Sequence, residues 1–421
     1  MGNLRLSQLA QTLIPSEIVQ LGAAIKEKIK AGQHIYNYTI GDFDSSIFPI
    51  PGALEANIVE AYHQHKTTYP AADGELVLRK AVSRFIEHHQ KVTYHPNEIL
   101  IASGGRPLIY SVYRTIVDSG DKVIYPVPSW NNNHYAHFTQ AEHVVIESTP
   151  ENDFMPTAAQ IKPHLKGATL LALCSPLNPT GTTFHKEELE KICDLVIAEN
   201  ASRGPGEKKL FVMFDQIYWT LTLEDTRHYN PVALRPQMKE YSIFIDGISK
   251  AFAATGVRVG WALGPEQVIV KMRGINSHIG SWAPMAEQHA TAKFLNDEAA
   301  VNDFLKHICN EISYRLNKIY DVFHTLKDEG FSVDAIKPQA AIYLTVQVNL
   351  KGKRTSDGKT LEKQTDVTSY LLNEASLALV PFEAFGTKTD SSWYRLSVGC
   401  CKKEEIGEMA ARLKTALKKL S

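Results

Sequence analysis

The sequence predicts an α/β fold: a mostly parallel seven-stranded sheet with helices on both faces, joined to a smaller α+β part. Three observations carry this. Seven short apolar runs alternate with amphipathic segments between Ile99 and Leu263, as in sheets covered on both faces. After about Met285 the apolar spacing turns helical. The chain's 421 residues also exceed what one hydrophobic core serves, so a large and a small unit are expected.

In chain order the runs are Ile99–Ala102, Lys122–Tyr125, Val144–Ile146, Thr169–Cys174, Leu210–Phe214, Ser242–Ile245 and Trp261–Leu263. Each is short and rich in apolar residues, the pattern of a strand inside a sheet. The amphipathic segments between them supply the crossover helices that parallel neighbours require. Helical spacing from about Met285 to Leu326 returns in Asp366–Glu374 and Lys403–Leu420, and between these Ala341–Leu350 and Leu377–Phe382 read as strands. Lys351–Gln364 is polar and rich in Lys and Gly, an exposed loop. The expected division is a large unit at 51–297 and a small one made of 1–50 with 298–421.

Composition narrows the function. A net charge of −1 gives no general attraction for nucleic acid or an anionic membrane, so a small-molecule ligand is expected. The five cysteines are odd in number and lack CxxC or metal-type spacing, which argues for a reducing compartment and a cytoplasmic protein. The first thirty residues lack the apolar block of a signal peptide, and no stretch approaches a membrane-spanning helix.

Chemistry concentrates in a few segments. In ISKAFAATGVRVGW, Lys250 follows the β-prone stretch Tyr241–Ile245 and so falls just past the carboxyl end of a strand, where α/β sheets place ligands. Desolvation there lowers an ammonium pKa and frees the amine that a carbonyl compound needs for a Schiff base. Arg258 offers a phosphate a fixed fork. In IASGGRPLIYSVYRTIV the chain passes through Ser103, Gly104 and Gly105 into a helix. The free amides at such a start bind phosphate, and Arg106 adds charge. In FVMFDQIYW, Asp215 leaves an apolar strand and needs a cationic partner, and Tyr218 follows it. CSPLNPTG presents the Asn178 amide. Each feature also has a plainer reading: a solvated lysine, a tight glycine connection, a helix N-cap, an ordinary Asn-Pro turn.

Taken together, these segments resemble the fold type I pyridoxal-phosphate enzymes, in particular the class I/II aminotransferases, of the aspartate-aminotransferase-like kind. The likeness begins with LSQLAQTLIPSEIVQLGAAIKEKIKAGQHIYNYTIGDFD, continues through TTYPAADGELVLRKAV and ends with WYRLSVGC. It implies that Lys250 forms the Schiff base with pyridoxal 5′-phosphate and later acts as the general base. Asp215 then pairs with the ring nitrogen, Asn178 and Tyr218 hydrogen-bond the phenolic oxygen, and Trp130 stacks on the ring. Gly104, Gly105, Arg106, Ser249 and Arg258 belong to the phosphate site. Tyr69 reaches the phosphate of a neighbouring subunit, which implies a homodimer. Arg395 clamps the substrate α-carboxylate with the Gly41 region closing over it, so that Gly41, Trp130, Asn178 and Arg395 form the substrate side. The plainer reading of Arg395 is a surface arginine on a C-terminal strand, but an RLS tripeptide in this place favours the functional one.

The implied activity is ping-pong transfer of an amino group from an L-amino acid to a 2-oxo acid, with a lean toward an acidic donor such as aspartate. Arg114 could contact a dicarboxylate, although its position reads first as a helix surface. An aromatic or neutral amino-acid aminotransferase, or a β-lyase or synthase on the same scaffold, is the alternative. A non-catalytic regulator that binds the cofactor is weighed as well; the pattern starts almost at residue 4, which leaves no room for a DNA-binding segment ahead of it. Three positions depart from the family pattern: Gly247 for a serine, Leu177 for the first Asn of an Asn-Asn-Pro turn, and Ala340–Tyr343 for Gly-Ala-Phe-Tyr.

Overall fold

Apolar residues at every second position sort the strands of a computed structural model into two buried faces. The structure describes residues 5–13, 17–130, 132–388 and 390–421; of the N-terminal stretch matched above, which begins at Leu6, residues 14–16 lie outside these. In chain order the described strands are β1 (Tyr36–Asn37), β2 (Ile99–Ala102), β3 (Lys122–Val127), β4 (Glu142–Glu147) and β5 (Ala168–Cys174). There follow β6 (Phe211–Asp215), β7 (Ser242–Gly247), β8 (Gly260–Leu263), β9 (Val333–Ala335) and β10 (Tyr343–Val348). The last are β11 (Leu377–Ala378), β12 (Val380–Pro381) and β13 (Trp393–Ser397).

Seven of them form one sheet in the order β2-β8-β7-β6-β5-β3-β4. Only β8 runs against the rest, pairing antiparallel with both β2 and β7, so the expectation of a mostly parallel sheet holds. Ile99, Ile101, Leu171, Leu173, Val212 and Phe214 face one core, which also takes in helices Leu76–Gln90 and Lys186–Ser202. Their neighbours Leu100, Ala102, Leu170, Ala172 and Met213 face the other, against helices Gly105–Ile116 and Glu266–Ile279. The edge strand β4 is largely exposed, unlike the six strands ahead of it in the sheet order.

A four-stranded antiparallel sheet, β12-β13-β10-β9, has its own core. Ile308, Ile312, Leu316, Ile319 and Phe323 line one side of the 31-residue helix Glu298–Asp328 and pack there with Leu344, Val346 and Leu396.

Three expectations are corrected in detail. Met285–Leu326 is two helices, because Asp297 caps a new one by accepting from the Ala300 amide after helix Met285–Leu295 has stopped. Leu377–Phe382 is not one strand: Leu377–Ala378 pairs parallel with β1, then Val380–Pro381 pairs with β13, so the chain changes sheets at Leu379. Lys351–Gln364 is an exposed loop in the main, yet Leu361 and Gln364 are buried, and Arg354 exchanges backbone hydrogen bonds with Ser421.

Candidate active site

The carboxyl ends of β2, β5, β6 and β7 open on one side of the sheet, the position that ligands take in α/β folds. A cavity of about 780 Å³ lies there, closed from the opposite side by β10, β13 and the Thr39–Asp42 segment. Helix Glu17–Lys30 contributes Gly22, Ile25, Lys26 and Ile29 to its mouth.

Lys250 sits in a single helical turn, Ile248–Ala251, directly after β7. Its Nζ donates to the Gly41 carbonyl at 2.6 Å and stands 4.0 Å from Asp42 Oδ1. Burial brings its pKa down to about 8; Asp42 opposes this, while Arg395, Arg106 and Arg258 reinforce it.

Asp215 ends β6, and its Oδ1 accepts from the Ile217 amide at 3.0 Å. Burial raises its carboxyl to about 6, and among the described residues no Lys, Arg or His pairs with it. Nearby Asp246 shows the contrast. It too is lifted by burial, to about 7, but accepts from Trp219 Nε1 at 2.8 Å, Trp261 Nε1 at 3.2 Å and the Gly247 amide at 2.7 Å. Asp246 is satisfied within the protein; Asp215 lines the cavity and calls for a cation inside it.

Glycine makes the corner between β2, β7 and β8 possible. Gly104 has φ +92° and precedes helix Gly105–Ile116, and a side chain on it would run into the Arg258 guanidinium, Cζ at 2.8 Å. A Cβ on Gly247 would lie 2.7 Å from Gly260 Cα, and one on Gly260 would lie 2.7 Å from the Gly104 carbonyl carbon. The serine expected at position 247 therefore has no room, while Ser249 lines the cavity. Arg258 is held across this corner by the Ser103 carbonyl at 2.6 Å and the Thr255 carbonyl at 2.7 Å. Arg106 lies over Trp130, its Cζ 5.6 Å from the ring centroid.

Arg395 is a buried group, 2% exposed, and the surface-arginine reading falls away. Its Nη1 donates to Asn178 Oδ1 at 3.1 Å and its Nη2 to the Thr39 carbonyl at 2.6 Å, while Nε lacks a partner. Tyr343 and Phe385 rings flank the guanidinium at 4.8 and 4.9 Å. Tyr218 is buried and meets the Tyr343 hydroxyl at 2.5 Å.

The cavity thus gathers Gly41, Gly105, Arg106, Trp130, Asn178, Asp215, Tyr218, Ser249, Lys250, Arg258 and Arg395. Tyr69 stands apart, 83% exposed and edge-on to Trp282. Arg114 is exposed on its helix and, among the described residues, hydrogen-bonds only the Phe138 carbonyl at 3.5 Å, away from the cavity. Asp42 and Lys26 went unnoticed in the sequence. Asp42 adjoins Gly41 and was within reach of reading, whereas Lys26 looks like any solvated helix lysine.

Comparison with known proteins gives the family and the fold. The family model "Aminotransferase class I and II" matches residues 34–413. An aspartate aminotransferase of Bacillus sp. strain YM-2 is 28% identical over 383 residues, covering 90% of this chain and 92% of that one. The crystal structure of the aspartate aminotransferase from Rhizobium meliloti superposes with a TM-score of 0.90 at 25% identity over the whole of both chains. The aromatic aminotransferase from Pyrococcus horikoshii gives a TM-score of 0.80 at 25% identity, covering 94% of this chain and 98% of that one. With that family model spanning residues 34–413, nearly the full length, the chain belongs to the class I and II aminotransferases, enzymes that use pyridoxal 5′-phosphate.

Proposed function

We propose that this aminotransferase takes its amino group from an acidic amino acid, with aspartate as the leading donor, and passes it to a 2-oxo acid. The observation that carries the chemistry is the unpaired carboxylate of Asp215 facing the same cavity as a lysine with a depressed pKa and a buried arginine with a free Nε. These groups fit the cofactor. Asp215 would hold a proton on its ring nitrogen, and Gly104, Gly105, Arg106, Ser249 and Arg258 would surround its phosphate. Trp130 would cover its ring, and Asn178 and Tyr218 would meet its phenolic oxygen. When bound, pyridoxal phosphate supplies an aldehyde carbon for amino exchange and a ring that withdraws electrons from the substrate Cα.

The protein's own groups do the rest. Lys250, whose pKa burial lowers to about 8, keeps a neutral fraction near pH 7 that would bond the aldehyde, and its amine would carry the proton away from Cα. Arg395, whose guanidinium lines the cavity beside Asn178, would fix the α-carboxylate and thereby orient the Cα–H bond. The Gly41 carbonyl and Asp42 hold the released Nζ at the same wall of the cavity.

The aspartate lean rests on the relatives that bear that name, since Arg114 is out of reach. The aromatic aminotransferase neighbour favours an aromatic donor as the second reading. A half-reaction screen over twenty amino donors, with identification of the oxo acid formed, separates them. Fastest conversion of aspartate or glutamate is expected; fastest conversion of aromatic donors selects the second reading, and no conversion of any donor overturns both.

We further propose a homodimer in which the partner's Tyr69 completes each phosphate site, and a division into 51–297 and 1–50 with 298–421. The break before Glu298 and the separate core of the four-stranded sheet support that division. A cytoplasmic location is proposed on the free state of all five cysteines.

A further inference from the structure

The contact between Tyr218 and Tyr343 joins the two sheets at the cofactor site. Tyr218 follows β6 of the seven-stranded sheet, and Tyr343 opens β10 of the four-stranded one. Both are buried, their rings meet edge to face with centroids 5.4 Å apart, and their hydroxyl oxygens lie 2.5 Å apart. Nothing about this meeting is loose. The Ala341 amide donates to the Leu221 carbonyl at 2.8 Å and the Ala340 amide to the Gly181 carbonyl at 2.9 Å, and Thr345 Oγ1 donates to the Thr180 carbonyl at 2.9 Å. The start of β10 is therefore tied to the turn that carries Tyr218 and to the turn after Asn178. Room for the Tyr343 hydroxyl is left by Gly41, where a Cβ would lie 2.8 Å from it.

Two hydroxyls bring two protons, and one contact between them uses one. Among the described residues neither hydroxyl has another hydrogen-bond partner. If Tyr218 turns its own proton toward an anionic oxygen in the cavity, the proton in the 2.5 Å contact must come from Tyr343. A hydroxyl that accepts a hydrogen bond is a stronger donor through its own O–H, and burial enlarges this coupling.

We propose that Tyr343 is a positioning residue: its hydroxyl donates to Tyr218, aims the Tyr218 proton into the cavity and strengthens it as a donor to the cofactor's phenolic oxygen. This deepens the reading of Tyr218 given above and rests on it. The four-stranded sheet thereby contributes to cofactor chemistry through a residue distinct from Arg395, which lies over the Tyr343 ring.

The test is the visible absorbance titration of the purified holoenzyme, with melting temperature recorded alongside. Tyr343→Phe keeps the ring and its arginine contact but removes the donor. Weaker donation by Tyr218 leaves more negative charge on the phenolic oxygen, so the bound chromophore holds its proton more tightly. The titration midpoint is expected to rise by about half a unit to one unit. Replacing Tyr343 with 3-fluorotyrosine, a stronger donor of nearly the same shape, moves it downward. Tyr218→Phe shifts it upward on its own, and adding Tyr343→Phe to that variant gives no further shift. A midpoint unchanged in Tyr343→Phe while Tyr218→Phe moves it, or shifts that add in the double variant, overturns the inference alone. An unmoved midpoint in Tyr218→Phe overturns the reading of Tyr218 and this inference together. A lower melting temperature with an unmoved midpoint assigns Tyr343 a packing role and counts against it.

Discussion

Lys250 and Asp215 are both burdened by burial, in opposite directions. Lys250 loses its proton at about 8 rather than 10.5, so the cofactor-free protein should react with a carbonyl probe at a rate that rises through about pH 8 and levels above it. Lys250→Ala should abolish both that reaction and turnover while the circular dichroism spectrum stays that of the folded protein. For Asp215 the sign runs the other way. Between 3.8 and about 6 the folded carboxyl keeps a proton that the unfolded chain has lost, so its contribution to stability declines as pH rises through that window. Asp215→Asn should therefore raise the melting temperature of the cofactor-free protein more at pH 8 than at pH 5, although the variant loses activity. Arg395→Ala should raise the requirement for every amino donor by roughly 2–5 kcal/mol in apparent binding, as for a buried charge pair that loses one partner; unchanged kinetics would place the carboxylate elsewhere. These residues were legible because buried strand ends that finish in Lys or Asp are chemically conspicuous. Arg395 was not legible from its own surroundings, since nothing in WYRLS says which side of a strand faces the cavity.

At the scale of elements, the seven strands of the large sheet were readable because two faces covered by helices demand uninterrupted apolar runs. The reversal of β8 was not, for apolar composition carries no direction. Nor was the split of Leu377–Phe382, where one apolar run serves two sheets and only tertiary pairing decides the boundary. The corner made by Gly104, Gly247 and Gly260 is where the elements meet most closely. Gly260→Ala should push the Gly104–Gly105 turn off its place, lowering the melting temperature and weakening retention of pyridoxal phosphate in equilibrium dialysis. A variant that holds the cofactor as tightly as before would show that the corner has slack.

For the whole molecule, the structure holds a second, four-stranded sheet with its own core, and this sheet supplies one wall of the cavity through β10 and β13. Tyr69 belongs at this scale because one chain leaves it exposed. If it serves a neighbouring site, mixing Lys250→Ala chains with Tyr69→Phe chains should give more activity than either alone. One site of each hybrid then has an intact lysine and an intact tyrosine from the other chain. Activity that never exceeds that of Tyr69→Phe alone would keep the residue out of its neighbour's site.

The parallel pairing of Tyr36–Asn37 with Leu377–Ala378 has a consequence for biosynthesis. A strand made among the first residues cannot find its partner until nearly the whole polypeptide has left the ribosome, a delay on the order of tens of seconds at ordinary elongation rates. The seven-stranded sheet can close during that wait. The early segment meanwhile waits without its native partner, so its docking comes after the larger sheet has formed.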